Sequence, residues 1–353
     1  MIDTITIMIT DYQIVDYSIF KEYRENYIRE FFAHPKRKCF QLEAKLQPAL
    51  SSLYKVSITL VSNKHSFKLY KNAQMYISFS APKQLFNNNL YELKESNYLA
   101  VVNILIDILN KLKIMVTTET IENASVRRVD YSKNFILQQN ITCADVINLV
   151  RYAHLKRFIL FNVIDGKYVK FESKTMAISF YDKLEEMKEH CAIAPHLTEI
   201  MLMAEHRILR IEVQFKKAYG VKGRLRKICN LLYPNNLKLK DIFNEETFKK
   251  VFEDILKEIY KRLPLIIHSV AKAEQLKDMF GKKSNEISKK MSILNCQEEC
   301  GSYEKGIEEA TKIYGEKFVE RNKCILVYNE KLPFILFEFL EEIRNYKPLF
   351  NTS

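Results

Sequence analysis

Strand-type alternation fills the first half of this chain and returns in the second, and it restricts the fold more than any other feature. MIDTITIMI, CFQLEAKL, LYKVSITLV, HSFKLYK and AQMYISFSA each alternate with period two and are rich in β-branched or aromatic residues. The Asn-rich FNNNLYEL reads as a loop, and a helix is predicted from about Asn97 to Leu112. The theme then repeats. ASVRRVDYSKNFIL is a strand, TCADVINLVRYAHL a helix, and RFILFNVI, KYVKFES and MAISFYD are strands. A helix begins near Lys183, and HRILRIEVQF is one more strand. Beyond Lys216 the period turns helical: NEETFKKVFEDILKEIYKRL has apolar residues at i, i+3, i+4, a Glu-rich first turn and Asn244 placed to cap it, and SYEKGIEEATKIYGEKFVER is a shorter helical stretch. These patterns predict an α+β fold, a mostly antiparallel sheet covered by helices. They suggest two related halves, 1–118 and 119–220, and a helical C-terminal domain, 221–353, expected to bind DNA.

At 353 residues, 47% hydrophobic and 28% charged, the chain can bury a sizeable core. The longest apolar region, NYLAVVNILIDILNKLKIMV, carries Asn103, Asp107, Asn110, Lys111 and Lys113 at helical spacing, so it reads as an amphipathic helix and not a membrane span. The N-terminus lacks the basic start and apolar run of a signal peptide. With seven scattered cysteines, this predicts reduced thiols in a cytoplasm. Cys296 and Cys300 have no matching Cys or His pair and read as thiols before zinc ligands. The net charge of +12 favours a polyanionic partner, nucleic acid or an acidic membrane surface. No Walker A or GxGxxG run and no HxH or HExxH cluster is present, which argues against ATP hydrolysis, dinucleotide chemistry and the usual zinc hydrolases.

Three short stretches hold residues that fit poorly as mere structure. An Asp in mid-strand, Asp130 in RVD, needs a partner or pays for desolvation. Glu212 in LRIEV repeats the oddity and shares a face with Arg210. Each acid could simply pair with its neighbouring Arg; alternatively the two could converge on Mg²⁺ or Mn²⁺, which prefer oxygen ligands. In MAISFYDKLEEM, Tyr181 stands where strand gives way to helix, with Lys183 two residues on and Glu186 a helical turn beyond. A Tyr at a strand end is usually packing with a wet hydroxyl; the alternative is a nucleophile served by cations and a metal. The segment 216–227, KKAYGVKGRLRK, has Lys216, Lys217, Lys222, Arg224, Arg226 and Lys227 with no acid between them, a pattern for contacting phosphates.

Strand RVD, then FYDKLEE, then LRIEV followed by a Lys-rich AYG turn, together resemble the replication initiators of filamentous phages, the gene II protein type. The opening MIDTITI and the segment SAPKQLFNNNLYEL are similar to that family too, over about residues 1–230. The loop lacks the Gly often seen there. More distantly the pattern resembles plasmid rolling-circle initiators of the Rep_trans type. The resemblance implies a tyrosine-dependent DNA nicking-joining endonuclease that starts rolling-circle replication. Tyr181 would be the nucleophile and form a 5′-phosphotyrosine link at the plus-strand origin. Lys183 and Glu186 would serve it, and Asp130 and Glu212 would hold Mg²⁺ or Mn²⁺. It also implies double- and single-stranded DNA and a host helicase and polymerase as partners, no membrane, and a bacterial cytoplasm. The alternative is a non-catalytic basic DNA- or RNA-binding protein, a repressor or packaging factor.

Overall fold

The computed structural model of the chain describes residues 1–15, 38–44, 56–62, 74–138, 140–164, 166–190, 207–216, 220–229, 237–268, 274, 276–278, 284–327, 331–346 and 348. The predicted strand HSFKLYK lies outside these residues. The other predicted strands all form. In chain order they are β1 (Ile2–Ile9), then, after the short β2 (Gln13–Ile14), β3 (Lys38–Ala44), β4 (Val56–Ser62) and β5 (Gln74–Ser80). Past β6 (Ile114–Met115) come β7 (Ser125–Ile136), β8 (Ile159–Ile164), β9 (Tyr168–Glu172), β10 (Met176–Asp182) and β11 (Ile208–Phe215). Nine of them make one antiparallel sheet in the order β3-β4-β5-β1-β7-β11-β10-β9-β8, so the fold is α+β as the alternation predicts. A parallel pair, β12 (Leu265–His268) and β13 (Cys324–Val327), stands apart from it.

The helices follow from equally local causes. α1 (Ala81–Phe86) starts with Pro82 in its first turn, where a missing N–H costs nothing. α2 (Tyr98–Lys111) is the long amphipathic helix, and α3 (Thr118–Glu122) is capped by Thr117. α4 (Cys143–Val150) opens on a Thr142–Asp145 capping box, and α5 (Lys183–His190) follows β10 directly. A wide helical turn, Gly220–Leu225, leads into α6 (Arg226–Cys229) and α7 (Leu239–Ile242). α8 (Glu245–Arg262) is capped by the Asn244 side chain, which accepts from the Thr247 N–H. α9 (Ser284–Cys300) precedes α10 (Tyr303–Tyr314) and α11 (Glu316–Asn322), which Gly315 separates at φ 83°, so the shorter helical stretch is two helices. α12 (Ile335–Arg344) is the last.

One face of the sheet is apolar: Ile5, Ile7, Ile77, Phe79, Val129, Tyr131, Ile211, Val213, Ile178 and Phe180 are all buried, and α2, α4, α8 and α12 supply much of the rest of that core. Phe135 stacks on Phe339 of α12 at 4.2 Å between centroids, and Tyr131 meets Phe248 of α8 at 6.4 Å. Residues 221–353 thus lend two helices to the sheet's own core, while Leu276, Ile293, Leu294, Ala310 and Val319 form a separate small cluster. The opposite face carries the alternate residues and is polar, including Thr4, Thr6 and Ser78, then Asp130, Ser132, Arg210, Glu212 and Ser179. An antiparallel sheet tolerates such a one-sided core. Among the described residues no helix is long and apolar enough to cross a membrane.

Candidate active site

The strands that border the polar face bring the candidate residues together. On β10 the apolar Met176, Ile178 and Phe180 turn inward, so Tyr181 turns to the polar face at the strand's last turn. Asp182 ends the strand by accepting from the Leu184 and Glu185 N–H groups at 3.0 and 3.1 Å, which starts α5 and fixes where Lys183 emerges. Leu184 and Met187 of α5 pack with Leu90 and Ile208, pinning the helix to the loop after α1. β11 lies between β10 and β7, with Arg210 opposite Tyr181 and Glu212 opposite Ser179.

The Tyr181 hydroxyl donates to Glu212 Oε2 at 3.5 Å. Burial pushes the phenol well above its ordinary range; the Arg210 guanidinium opposes this, and the Glu212 carboxylate adds to it. Lys183 is fully buried, with its Nζ 6.0 Å from the centre of the Tyr181 ring. It donates to Asn89 Oδ1 at 2.9 Å and is ion-paired with Glu186. Burial lowers the Lys183 ammonium to about 8, with Arg210 pressing the same way and Glu186 opposing. The cleft over these groups holds about 320 Å³ and is lined by Tyr168, Ser179, Tyr181, Glu186, Glu212 and Gln214 among others.

Two further residues complete the site, and only the second escapes period-two reading. Arg210, 1% exposed, is the hub: it donates to the Asn89 carbonyl at 2.7 Å and Ser132 Oγ at 2.8 Å, and pairs with Asp3 at 3.2 Å. It shares a face with Glu212 in the sequence, and the fold sets its charge where it opposes the rise of the Tyr181 phenol. Asp3 has the parity of Ile5, Ile7 and Ile9 and should point into the core. A register shift between Ile2 and Thr4 turns it to the polar face, where Ser80 Oγ donates to it at 3.3 Å. An acid at a core-parity position was the signal for that bulge.

Asp130 and Glu212 lie on this face as well. Asp130 is 1% exposed and accepts from Arg128 Nε at 2.9 and 3.1 Å. Burial raises its carboxyl to about 7; the Arg128 hydrogen bond opposes, and the charge of Glu212 adds to the rise. Glu212 is raised by burial and by Asp3, and accepts from Gln214 Nε2 at 3.3 Å. The three acids are not free of partners: Arg210 pairs with Asp3 and Arg128 holds Asp130, while Glu212 accepts from Tyr181 and Gln214. Among the described residues no group of three or more His, Cys, Asp or Glu is arranged to hold a metal ion.

The loop that caps this face needs no glycine. Asn87 takes the left-handed conformation at φ 59°, and Asn88 Oδ1 accepts from the Leu90 and Tyr91 N–H groups. Glu92 in the same loop accepts from the Asn134 N–H at 2.6 Å and pairs with the buried Lys133, which also pairs with Glu342 of α12 at 3.0 Å. The last helix therefore braces the loop that presents Asn89 to Lys183 and Arg210.

The basic segment is less uniform than its sequence. Lys216 is ion-paired with Glu172, and Arg224 pairs with Asp254 at 3.2 Å, while Lys227 is exposed. Lys217 and the side chains of Lys222 and Arg226 lie outside the described residues. Gly220 packs directly against the Thr175 carbonyl, where a Cβ would collide, which accounts for the glycine of the AYG turn. No family model matches the chain, and no curated protein is significantly similar to it.

Proposed function

We propose that the chain is a phage-type rolling-circle replication initiator, a tyrosine-dependent DNA nicking-joining endonuclease. The observation that carries this reading is a phenol held over a buried cation pair, with its proton directed at a carboxylate: Tyr181 above Arg210 and Lys183, donating to Glu212. Tyr181 Oη attacks the scissile phosphorus. A Tyr–phosphate bond forms, the bond to the 3′ oxygen breaks, the phenolic proton passes to Glu212, and the departing 3′ oxygen takes a proton from water. The freed 3′-OH primes the host polymerase, and the 5′ phosphate stays on Tyr181 until the reverse step joins the strand. Arg210 favours the phenolate as it forms. Glu186 and Asn89 fix Lys183, whose charge offsets that of the attacked phosphate. Asp130 and Glu212 would hold a Mg²⁺ or Mn²⁺ ion, which would polarise the non-bridging oxygens.

The test is to incubate the protein with supercoiled DNA carrying its replicon's origin and Mn²⁺, then map the DNA-linked peptide by mass spectrometry. The expected product is a phosphotyrosyl peptide containing Tyr181; an adduct of the same size from Tyr181→Phe would remove the nucleophile. One observation favours the alternative, a non-catalytic nucleic-acid binder: the Arg128–Asp130 pair already satisfies one acid. That reading predicts DNA binding with no adduct under any metal.

A further inference from the structure

The edge of the sheet next to Tyr181 is built unlike an ordinary edge strand. Edges are usually blunted by charge or short length, because unpaired backbone and apolar side chains invite association. β8 instead exposes Ile159, Leu160, Phe161 and Ile164, with Phe161 68% exposed. Lys156 and Arg157, both exposed, stand just ahead of it with Phe158 between, and Arg157 lies in the left-handed region at φ 72°. A non-glycine residue rarely holds that conformation without a reason. Across the hairpin, Lys170 sits over the Phe161 ring at 5.4 Å and Lys167 is exposed. Lys170 and Lys216 share Glu172 as their acid, so the described residues of the hairpin keep more cations than acids, while the adjoining cleft is lined by Asp182, Glu185, Glu186, Glu189 and Glu212.

This patch is continuous with the candidate site. Ile164, Tyr168 and Tyr181 face one another in register across β8, β9 and β10. The rings of Tyr168 and Tyr181 lie 6.1 Å apart, and Tyr168 and Ile164 line the same cleft as Tyr181. Aromatic faces beside cations suit a ligand that alternates flat bases with phosphates. A duplex keeps its bases stacked inside and cannot use such faces.

We propose that the β8–β9 hairpin seats single-stranded nucleic acid, with bases stacked on Phe161 and Tyr168 and phosphates on Lys156, Arg157, Lys167 and Lys170, and so feeds the strand to Tyr181. The assignment of Tyr181 as its destination rests on the function proposed above; the stacking seat does not.

The experiment is fluorescence anisotropy of the full chain with labelled oligo-dT, beside the same length of abasic backbone. Phe161→Ala, at an exposed position, weakens oligo-dT binding about tenfold and leaves abasic binding unchanged. The triple variant Lys156→Ala, Arg157→Ala, Lys167→Ala flattens the salt dependence of log K by about 2. Equal affinity of Phe161→Ala and the unaltered chain for oligo-dT overturns the seat. So does a Phe161→Ala chain whose only change is a smaller mass in light scattering, which would make β8 a pairing edge between two copies. If oligo-dT binds through Phe161 but no Tyr181 ester ever forms, the nicking function falls and the seat stands. If the ester forms and Phe161→Ala binds normally, the seat falls alone.

Discussion

The two halves of the sheet are built alike up to one strand. In the first, β1 is followed by the meander β3-β4-β5, and β5 runs directly into α1. In the second, β7 is followed by β8-β9-β10, and β10 runs directly into α5. The halves differ in the middle: β5 pairs directly with β1, whereas β11 inserts between β10 and β7. The first half therefore presents hydroxyls on its polar face, with Thr6 Oγ1 donating to Ser78 at 3.0 Å, and the last residue of β5 on that face is Ser80, where β10 has Tyr181 one residue before its end. The inserted strand supplies Arg210 and Glu212, the cation and the acid that a phenol would need. The lesson is that the two strand–helix junctions share a layout, and the extra strand gives one of them a buried cation and an acid that the other lacks.

Removing the phenolic hydroxyl tests that contrast most severely. Tyr181→Phe should abolish covalent DNA adducts on denaturing gels while leaving the melting temperature close to that of the unaltered chain, because a single long hydrogen bond is lost. Ser80→Ala, the matching change in the first half, should leave adduct formation within a few-fold. A comparable loss from both would mean that the junctions act together.

Arg210→Met comes next. The guanidinium is buried among Asp3, Ser132, Asn134 and the Asn89 carbonyl, so its loss leaves the Asp3 charge without its partner. The expected cost is about 3–5 kcal/mol, read from urea unfolding. A loss below about 1 kcal/mol would show that β11 is dispensable to the second half.

Most of the scaffold was legible because its apolar residues alternate cleanly, so nearly every predicted strand forms, and Asn244 caps α8. Tyr181, Glu212 and Asp130 could be singled out because each is a polar residue in an apolar strand. What stayed hidden depends on contacts between distant segments. Asp3 reaches the polar face only through a bulge, which period-two reading cannot register. The Glu92–Lys133–Glu342 chain joins residues 250 positions apart, and Lys133 has the core parity that sequence reading assigns to apolar residues. The basic run 216–227 looked uninterrupted because its partners, Glu172 and Asp254, lie elsewhere in the chain.

Two buried groups give the site opposite pH signatures. Lys183 falls from its ordinary 10.5 to about 8 because burial penalises its charge. The unfolded chain then binds more protons between those values, so stability should rise with pH from about 8 to 10.5, and Lys183→Met should remove that slope. Asp130 is raised from 3.8 to about 7, again by burial, so its contribution is fully present below 3.8 and is lost as pH rises through 7. Asp130→Asn should flatten the curve there, as followed by urea unfolding at each pH. Adduct formation should fall above about pH 8, where Lys183 loses its charge. Unchanged slopes in both variants would show that neither group carries the linkage.

The smallest effect concerns the loop that joins the halves at the site. Asn87 holds φ 59° at the end of α1, a conformation that Asn tolerates, Gly adopts freely and other side chains resist. Asn87→Gly should change stability by only a few tenths of a kcal/mol, since the lost strain is offset by a more flexible unfolded chain. Asn87→Ala should cost about 1 kcal/mol and, by moving Asn89, weaken its hold on Lys183 and Arg210. Adduct formation should therefore drop several-fold in Asn87→Ala and not in Asn87→Gly. An equal drop in both would mean that the Asn87 side chain acts directly and not through the backbone geometry it holds.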